Sequence, residues 1–373
     1  MSNKMKFREC ALNLMECSDI GQAITYRLRS RIYCKKIIKR HLKQPLKVVP
    51  QEVSTAAVKG AWSKYFNVNP KWAQCYFSKN HVASPLYVPT DIWFTVICRK
   101  LNRLSFFRYQ TLQDKNYLDM VFGDSITCPE VLLRNINGEF LDRDFNFIQS
   151  VKAIEICKDY PEVVVKPSLE SKHARNISFV TQNGNSEVFA YELKKVMENM
   201  KSDYVVQKVL KQHKDMAKLN PDSINTIRVL SLLWKGEVHI LGALVRIGTE
   251  GARVDNPAAS NGVSCVLSSE GIMNKFAYDR DWNPHTELPN GIRLEGYQVP
   301  CFYRLIKTVK KLHYKVPHSR IVGWDMTISE KGEPMLIEAN LDYPEIYFHQ
   351  LGGGPIFKDK DFFDEILSYV VEK

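Results

Sequence analysis

The chain has 373 residues, of which 45% are apolar, 11% aromatic and 25% charged, the composition of an ordinary folded protein. Disordered, collagen-like and coiled-coil chains are thereby excluded, and the length predicts two or three compact units. Lys and Arg outnumber Asp and Glu by 52 to 41, a formal net charge of +11, so anionic partners such as nucleotides, phospholipid surfaces or acidic sugars are favoured.

The cysteines and the N-terminus bear on where the protein resides. Nine cysteines, an odd number without a CxxC pair, are expected to be reduced thiols. The N-terminal residues lack an apolar core of signal-peptide length, and the longest apolar run, Asp91–Cys98, is far too short to span a membrane. We therefore predict a cytoplasmic protein.

Residues 1–55 are predicted to form a basic helical N-terminal segment. Apolar side chains recur at every fourth position, the spacing of a helical stripe, at Ile20, Ile24, Leu28 and Ile32. Seven Lys and Arg residues lie between residues 27 and 40, and the run 45–50, with a proline at each end, ends the helix. A basic amphipathic helix can lie on an anionic membrane or a polyanion. The alternative is that these charges form the solvated face of a helix that packs on the protein body.

Residues 56–150 are rich in aromatic side chains, most of which are expected in a core. Near its end this stretch predicts a helix opening at residues 114–116, a short strand Thr127–Leu133 and a turn at Asn137–Gly138. It is therefore predicted to be a small α/β domain.

From residue 151 onward, β-branched strands become frequent. A strand Glu162–Lys166, a helix Ser186–Met200 and a strand Tyr204–Leu210 make up a first predicted lobe, residues 151–210. The second predicted lobe, residues 211–373, ends in a helix that starts near Lys360, and its strands are Ile227–Trp234, Val238–Ile247, Arg320–Ile328 and Glu333–Glu338. Because strands outnumber helices and several should pair antiparallel, the predicted fold class is α+β.

The polar pattern that is most specific lies near the C-terminus. The sequence contains no P-loop, no GxGxxG, no HExxH, no GxSxG and no protein-kinase catalytic loop. Glu338 and Asn340 are two residues apart in a strand and so share a face, and a hairpin turn at residues 329–332 folds Asp325 beside them. Three oxygen ligands then converge, a set that suits Mg²⁺ held partly by a triphosphate. The alternative is ordinary charged residues on the wet face of a hairpin.

An Asp followed by Glu-x-Asn on a hairpin resembles the metal site of the ATP-grasp ligases. Lys166, which ends the strand VVVK, is similar to the first phosphate-binding lysine of that fold, and residues 204–210 (YVVQKVL) are similar to its hinge strand. Within that superfamily the chain is most similar to the sugar-transfer associated group, related to glutamate ligases and found with capsular polysaccharide genes. The runs that carry this likeness are Gln212–His213, residues 223–228 (SINTIR), residues 246–248 (RIG) and residues 255–256 (DN). The resemblance covers roughly residue 62 to the C-terminus.

The resemblance implies an ATP-grasp fold, in which two α+β lobes hold ATP between them, with the basic N-terminal segment as an extension. It also implies ATP and Mg²⁺ as cofactors, and adenine contacts from the backbone of Lys208 and Leu210. Gln207 stands where an acid is commoner in that superfamily.

One stretch departs from the ATP-grasp pattern. After Lys166 the family has a glycine-rich flap whose backbone amides approach the phosphates, whereas residues 167–176 here contain no glycine. Lys172 and Arg175 are candidates to replace those backbone donors with cationic side chains. The alternatives are weak ATP binding, a changed nucleotide, or a degenerate site without catalysis.

The remaining candidate residues follow from the chemistry of amide formation. Activation of a carboxylate as an acyl phosphate requires positive charge where phosphoryl charge develops. Arg228 is predicted to steady the transferring phosphoryl group, and Arg246 to bind the substrate carboxylate. Asp255 and Asn256 lie in a loop of small residues predicted to close over the substrate, where Asp255 would orient or deprotonate the amine. The structural alternative for the two arginines is that they pair with acidic side chains. For Asp255 and Asn256 it is an ordinary turn.

The sequence thus predicts an ATP-dependent carboxylate-amine ligase for an acidic sugar, or capsular-polysaccharide precursor, and an amino acid or amine. A lipid-linked sugar, and peripheral contact with the inner membrane face through the basic segment, are compatible with this prediction. Nucleic acid ranks low as a partner, because basic residues are not interleaved with aromatics in any recognised module. The alternatives are a non-catalytic ATP-grasp scaffold that binds a polyanion or membrane, and an ATP-grasp kinase.

Overall fold

Two antiparallel β-sheets, one of five strands and one of seven, organise the chain. They are seen in a computed structural model. It describes residues 24, 28, 32, 35–37, 39–41, 48–102, 111–169, 176–255 and 261–372. We call the five-stranded sheet the small sheet and the seven-stranded sheet the large sheet.

The principal helices and the strands occur in the following order. The helices are α1 (Thr55–Trp62), α2 (Lys71–Asn80), α3 (residues 90–102, with a π-helical middle at Trp93–Ile97), α4 (Leu118–Phe122), α5 (Ser150–Lys158), α6 (Ser186–Met200), α7 (Lys214–Leu219), α8 (Phe302–His313), α9 (Tyr347–Gly353) and α10 (Lys360–Glu372). The strands are β1 (Val131–Ile136), β2 (Glu139–Asp142), β3 (Glu162–Pro167), β4 (Ser178–Thr181), β5 (Tyr204–Lys208), β6 (Thr226–Trp234), β7 (Glu237–Ile247), β8 (Val263–Leu267), β9 (Met273–Tyr278), β10 (Pro284–His285), β11 (Ile321–Ile328) and β12 (Pro334–Asn340).

The small sheet has the strand order β2-β1-β5-β3-β4, and α5 and α6 cover one of its faces. Helix α6 begins after Asn185, whose side-chain oxygen accepts two backbone N–H groups of the first turn. Phe189, Leu193 and Met197, one helical turn apart, are buried against the strands. Since side chains alternate along a strand, the opposite face of the small sheet carries Lys166.

The large sheet has the strand order β10-β9-β8-β7-β6-β11-β12. One face packs on α8, whose Leu305, Val309 and Leu312 are fully buried. The other face packs on α1, α2, α3 and α10, where the rings of Trp62 and Phe363 meet edge to face at 5.0 Å. Because both faces are covered, a polar side chain on these strands is stable only with a partner.

Most predicted elements are confirmed, as is the α+β class. The helix Ser186–Met200 has its predicted bounds, and six predicted strands correspond within two residues at each end to β3, β5, β6, β7, β11 and β12. Asn137 and Gly138, which join β1 to β2, have φ of +53° and +88°. Positive φ at both central residues is typical of the tight hairpin turn that Asn-Gly favours.

Residues 56–150 do not form the separate α/β domain that the sequence predicted. Helices α1 to α3 pack on the large sheet, whereas β1 and β2 join the small sheet beside β5. The strand predicted at Thr127–Leu133 is displaced to β1, and Thr127 makes a single bridge with Met335 of the large sheet. Strands β8 and β9 and helix α8 were not predicted. Short strands pair with the edge that tertiary contacts supply, and a local pattern does not identify that edge.

Within the N-terminal basic segment, residues 1–55, the structure describes residues 24, 28, 32, 35–37, 39–41 and 48–55. Every described residue from Ile24 to His41 is helical. In the described parts of the chain, no helix is both long enough and apolar enough to cross a membrane.

Candidate functional site

Cationic side chains near the small sheet face carboxylates of the large sheet. Lys115 Nζ lies 3.2 Å from Glu338 Oε1, and the Lys115 side chain is only 4% exposed. Lys166, at the end of β3, is close enough to both groups for their charges to act on it. Burial, together with the charge of Lys115, lowers the pKa of Lys166 to about 8, although Glu338 opposes this shift. We call the space lined by these residues the cleft.

Lys115 was not predicted as a site residue, although the sequence shows it between Asp114 and Asn116. Its backbone N–H donates to the carbonyl of Ser168, just beyond β3, at 3.0 Å. Asp114 Oδ1 accepts the N–H of Asn116 at 2.8 Å, and Asn116 Nδ2 donates to the carbonyl of Asn135 in β1 at 3.3 Å. These residues therefore form a turn that holds Lys115 against the small sheet. The predicted helix begins only at Leu118.

Asp325 lies at the centre of a buried ion cluster. Arg228 donates to both its carboxylate oxygens, Nε to Oδ1 at 2.7 Å and Nη2 to Oδ2 at 2.6 Å. Arg246 Nη2 lies 3.1 Å from Oδ2. The side chains of Asp325, Arg228 and Arg246 are 4%, 15% and 13% exposed. Burial alone would raise the pKa of Asp325, but the two guanidinium groups lower it to about 2.

Strand register brings this cluster together. Asp325 of β11 lies opposite Arg228 of β6 on one side and opposite Glu338 of β12 on the other. The register then shifts, because Met326 pairs with Leu336 and leaves an extra residue in β12. As a result Leu336 enters the apolar core while Glu338, two residues further, faces Asp325.

The predicted metal ligands therefore lie in one place. Asp325 and Glu338 are cross-strand neighbours. Asn340 lies opposite Gly323, and its Nδ2 donates a hydrogen bond to the carbonyl of Gly323 at 3.1 Å. That bond leaves the amide oxygen of Asn340 available as a ligand. Two carboxylates and one amide oxygen fit Mg²⁺, which usually takes only one or two protein carboxylates beside phosphate oxygens. In the part of the chain that the structure describes, no three or more His, Cys, Asp or Glu side chains form a metal-binding group of their own.

Glu345 is a second site residue that the sequence pattern did not single out. The chain after β12 crosses close above β11, where a Cβ on Gly323 would come within 2.9 Å of Pro344. Glu345 follows directly, half-buried, and its Oε1 accepts the N–H of Phe348 at 2.8 Å at the start of α9. Burial raises the pKa of Glu345 to about 7, although Arg228 and Arg246 lower it.

Asp255 lies beside Arg246, in contact with Thr226. Asp255 Oδ2 accepts the N–H of Thr226 at 3.0 Å and also its hydroxyl, and lies 3.6 Å from Arg246 Nε. Arg246 donates from Nε and Nη2 to Thr226 Oγ1 at 2.9 and 2.8 Å. Asp255 thus orients the arginine predicted to bind the substrate. Its direct contact with substrate stays a prediction, and Asn256 lies outside the described residues.

The loop after β7 also reaches the small sheet. Arg253 Nη2 lies 2.9 Å from Glu162 Oε2 at the start of β3, and its guanidinium group sits 4.1 Å from the ring centre of Phe179 in β4. These contacts join the two sheets next to the ion cluster, where the sequence predicted a closing loop.

A buried amide network fixes the chain that enters β6. Gln212 Oε1 accepts the N–H of Asn225 at 2.9 Å, and Gln212 Nε2 donates to the carbonyl of Ser223 at 2.7 Å. Asn225 Nδ2 donates to the carbonyls of Met216 and Asn220 at 2.8 and 2.9 Å. The network therefore places Thr226 and, through it, Arg246.

Replacing Asn225 with alanine is expected to lower the free energy of unfolding by about 1–3 kcal/mol, because the Met216 carbonyl loses this donor and the Asn220 carbonyl keeps only Gln212 Nε2, at 3.3 Å. Urea unfolding measures this. Asn290 is a matched control, since its exposed Nδ2 also donates to two carbonyls, those of Lys218 and Leu219. Asn290→Ala is expected to cost less than about 1 kcal/mol. Equal losses in the two variants would contradict the structural role of the network.

Comparison with known proteins identifies the family. The model of the family described as "Sugar-transfer associated ATP-grasp" matches residues 97–361, more than two thirds of the chain. The chain belongs to the sugar-transfer associated ATP-grasp family. No curated protein matches its sequence.

Several solved structures are similar to part of this chain. They include D-cycloserine synthetase DcsG, with 11% identity over 71% of this chain and 71% of that chain and a TM-score of 0.42. D-alanyl-alanine synthetase A from Vibrio cholerae O1 has 14% identity over 70% and 66% of the two chains and a TM-score of 0.40. An L-amino acid ligase from Bacillus licheniformis has 13% identity over 66% and 45%, with a TM-score of 0.35. The chain thus spans less than two thirds of the length of some of these proteins, and the likeness concerns the fold alone.

The predicted ATP-grasp hinge lies where the chain passes between the two sheets. Lys208 ends β5 of the small sheet, and Gln212 already bridges Ser329 beside β11 of the large sheet, so residues 209–211, including Leu210, connect the sheets. The backbone N–H of Lys208 donates to the carbonyl of Glu130. Gln207 is 1% exposed, and its side-chain oxygen has no hydrogen-bond partner among the described residues. A buried acceptor without a partner fits the amino group of an adenine.

The predicted flap cannot be placed in the same way. Lys172 and Arg175 lie outside the described residues, so their roles stay predictions. Leu169 and Asn176 are the described residues nearest to them on either side.

Proposed function

We propose that this ATP-grasp protein is an ATP-dependent ligase that joins a carboxylate to an amine through an acyl phosphate. One observation carries the proposal: two lysines near the small sheet, Lys115 and Lys166, converge on Glu338 of the large sheet, the cross-strand neighbour of Asp325. Two lysines opposite two carboxylates, next to two arginines, suit the charge of a metal-bound triphosphate. Membership of the family supports ATP as the nucleotide.

In this proposal the nucleotide lies between the two sheets. Gln207 and the backbone around Lys208 and Leu210 would hold the adenine, and Lys115 and Lys166 would neutralise the phosphates. Asp325, Glu338 and Asn340 would hold Mg²⁺, which when bound supplies positive charge to the phosphate oxygens. Lys172 would add a cation from the glycine-free flap.

The arginines would serve the phosphoryl transfer that forms the acyl phosphate. A carboxylate oxygen of the substrate attacks the γ-phosphorus of ATP, the bond between that phosphorus and the bridging oxygen breaks, and ADP leaves. In this proposal Arg228 would stabilise the transferring phosphoryl group, and Arg246 would bind the carboxylate. Both already contact Asp325, which holds their guanidinium groups in place.

Glu345 is the group we assign to the amine. An ammonium substrate gives one proton to Glu345, the freed amine nitrogen attacks the acyl carbon, and the carbon-oxygen bond to phosphate breaks. The second proton leaves with the phosphate. A carboxylate whose pKa lies near 7 suits this role, because it is partly ionised at neutral pH and still basic.

The substrate class is the finer part of the proposal. The net charge of +11 favours anionic substrates, and the family model carries the description sugar-transfer associated. We therefore propose an acidic sugar, free or lipid-linked, as the carboxylate, and an amino acid or amine as the nucleophile. Polysaccharide biosynthesis in the cytoplasm would be the setting.

Nucleotide binding is the first test. We expect wild-type protein to bind ATP with micromolar affinity in calorimetry when Mg²⁺ is present, and Lys115→Met to weaken this binding about 10- to 100-fold, because a charge-assisted contact is lost. Glu338→Ala combined with Asn340→Ala should remove the Mg²⁺ dependence. Lys194→Met, a change at an exposed lysine of α6, is the control and should bind like wild type. Wild-type protein that binds no nucleotide would contradict the proposal.

Turnover then separates a ligase from a kinase. Acidic sugars offered with hydroxylamine should yield hydroxamates and ADP, since hydroxylamine traps an acyl phosphate. A phosphorylated sugar without hydroxamate would indicate a kinase instead.

A further inference from the structure

An apolar stripe of the N-terminal basic segment is exposed to solvent. Ile24, Leu28 and Ile32 are 43%, 43% and 50% exposed. All three are helical, and their spacing of four residues places them on one side of a helix. Neighbouring large aliphatic side chains that stay exposed in this way mark a surface for a partner. We call these three residues the stripe.

The end of the same segment is attached to the protein body. Ile37 is buried, and the ring of His41 stacks on Trp282 with 4.0 Å between ring centres. The carbonyl of His41 accepts the thiol of Cys75 at 3.4 Å, and Arg40 forms an ion pair with Asp281. The basic segment is therefore held to the fold at its C-terminal end.

The attached side and the stripe point in different directions. At 100° per residue, the stripe covers about 80° of the helix circumference. The mean direction of the Ile37 and His41 side chains around the helix axis lies about 160° from the middle of that arc. On a regular helix, a stripe on this arc faces outward when Ile37 and His41 pack on the body, in agreement with its exposure.

Basic side chains accompany the stripe. Lys35, Lys36 and Lys39 are exposed, and by the same geometry Lys35 and Lys39 fall within the arc of the stripe. Long lysine side chains can place their ammonium groups at lipid phosphates while their stems cover apolar surface. An apolar stripe with basic neighbours is the pattern of a helix that lies in the interface of an anionic membrane.

We infer that the stripe and its lysines form a docking surface for an anionic lipid bilayer. A soluble polyanion would neutralise the lysines but leave the aliphatic side chains in water. A second copy placed symmetrically on the stripe would bring the lysines of both copies together, which like charges disfavour. An anionic bilayer satisfies both the apolar stripe and the basic side chains, because its acyl chains bury the stripe and its phosphates pair with the lysines.

Vesicle flotation with the full chain tests this inference, and it does not depend on the proposed ligase activity. We expect wild-type protein to float with phosphatidylserine-containing vesicles and not with pure phosphatidylcholine. Ile24→Asp combined with Leu28→Asp should lower the partition coefficient at least 10-fold. Lys35→Gln combined with Lys39→Gln should lower it about fivefold per charge removed.

A matched control carries the same charge change on another helix. Val188 and Tyr191 of α6 are 51% and 68% exposed, and their double replacement with Asp should leave flotation unchanged. Circular dichroism verifies that every variant is folded. Wild-type protein that does not float with anionic vesicles would overturn the inference. Unchanged flotation of the Ile24→Asp, Leu28→Asp variant would also overturn it. So would a wild-type protein that does not bind vesicles, together with a variant that still binds heparin.

Discussion

Arg228→Met is expected to lower the free energy of unfolding by about 3 kcal/mol and to abolish ligation. The substitution removes the bidentate partner of Asp325, whose side chain is 4% exposed, and leaves that carboxylate with Arg246 alone. Loss of one partner from a buried ion pair costs about 3–5 kcal/mol, and the remaining contact to Arg246 favours the lower end. Chemical denaturation at neutral pH provides the measurement.

Two further variants show whether the buried charge is the cause. Arg228→Met combined with Asp325→Asn removes both charges and should recover more than half of the lost stability. Lys218 forms an ion pair of similar length, 2.7 Å to Asp215, but is 61% exposed, so Lys218→Met should cost less than about 1 kcal/mol. If Arg228→Met were no more harmful than Lys218→Met, the cluster would not be the buried pair that the geometry indicates.

The same cluster sets an acid limit to stability. The pKa of Asp325 is about 2 in the folded protein, below its value of about 3.9 in an unfolded chain. Folding therefore gains from the ionised carboxylate above pH 4, and this gain is lost as the pH falls towards 2. Arg228→Met should shift that loss to higher pH.

Glu345→Gln is expected to stabilise the protein while it slows amide formation. The pKa of Glu345 is raised from 4.5 to about 7 in the folded state, so the folded protein binds this proton more tightly than the unfolded chain. Wild-type stability thus falls as the pH rises from about 4.5 to 7, whereas the glutamine variant should be unaffected. At pH 8 we expect the variant to be more stable by about 1–3 kcal/mol, with no difference at pH 4.

Activity should change in the opposite direction. If Glu345 takes the proton of the amine, the wild-type rate rises with pH through about 7, and Glu345→Gln lowers the rate about 10²- to 10⁴-fold without that rise. Hydroxamate formation should survive, because hydroxylamine is already uncharged at neutral pH. Glutamine keeps an oxygen for the N–H of Phe348, so helix α9 keeps its start. Glu237→Gln, at an exposed position at the start of β7, is the control; a pH profile of stability that is identical in wild type and Glu345→Gln would refute this account.

A stability cost at a site residue has a simple interpretation. Natural proteins tolerate a destabilised group where function requires it. Glu345 is half-buried beside two arginines, and burial raises its pKa despite the backbone N–H of Phe348, as expected for a carboxylate whose ionised form destabilises the fold.

The sequence brought Asp325, Glu338 and Asn340 together on one hairpin because their arrangement is local. Asp325 and Glu338 lie on two strands joined by a short turn, and alternation along β12 places Glu338 and Asn340 on one face. The hairpin needs no distant partner to bring these side chains together. The same reasoning gave the bounds of β3, β6, β7 and α6, whose hydrophobic periods are long and regular.

For the two predicted site arginines, the sequence did not reveal which side chains they contact. Arg228 and Arg246 were predicted to meet substrate groups, and in this structure both contact Asp325. That contact depends on the register of β6, β7 and β11, which brings together Arg228 and Asp325, 97 residues apart in the sequence. Register over such distances is set by packing and by irregularities such as the shift beside Asp325, which periodicity does not reveal.

By itself, then, the sequence determined the α+β class, the strands and helices of strong period, and the hairpin that carries Asp325, Glu338 and Asn340. Only the tertiary structure decided that Lys115 faces Glu338, that Glu345 lies beside the arginines, and that residues 56–150 are divided between two sheets. The physical reason is the range of the interactions. Periodicity and turns act over a few residues, whereas burial, ion pairing and strand neighbours depend on segments that meet only when the chain has folded.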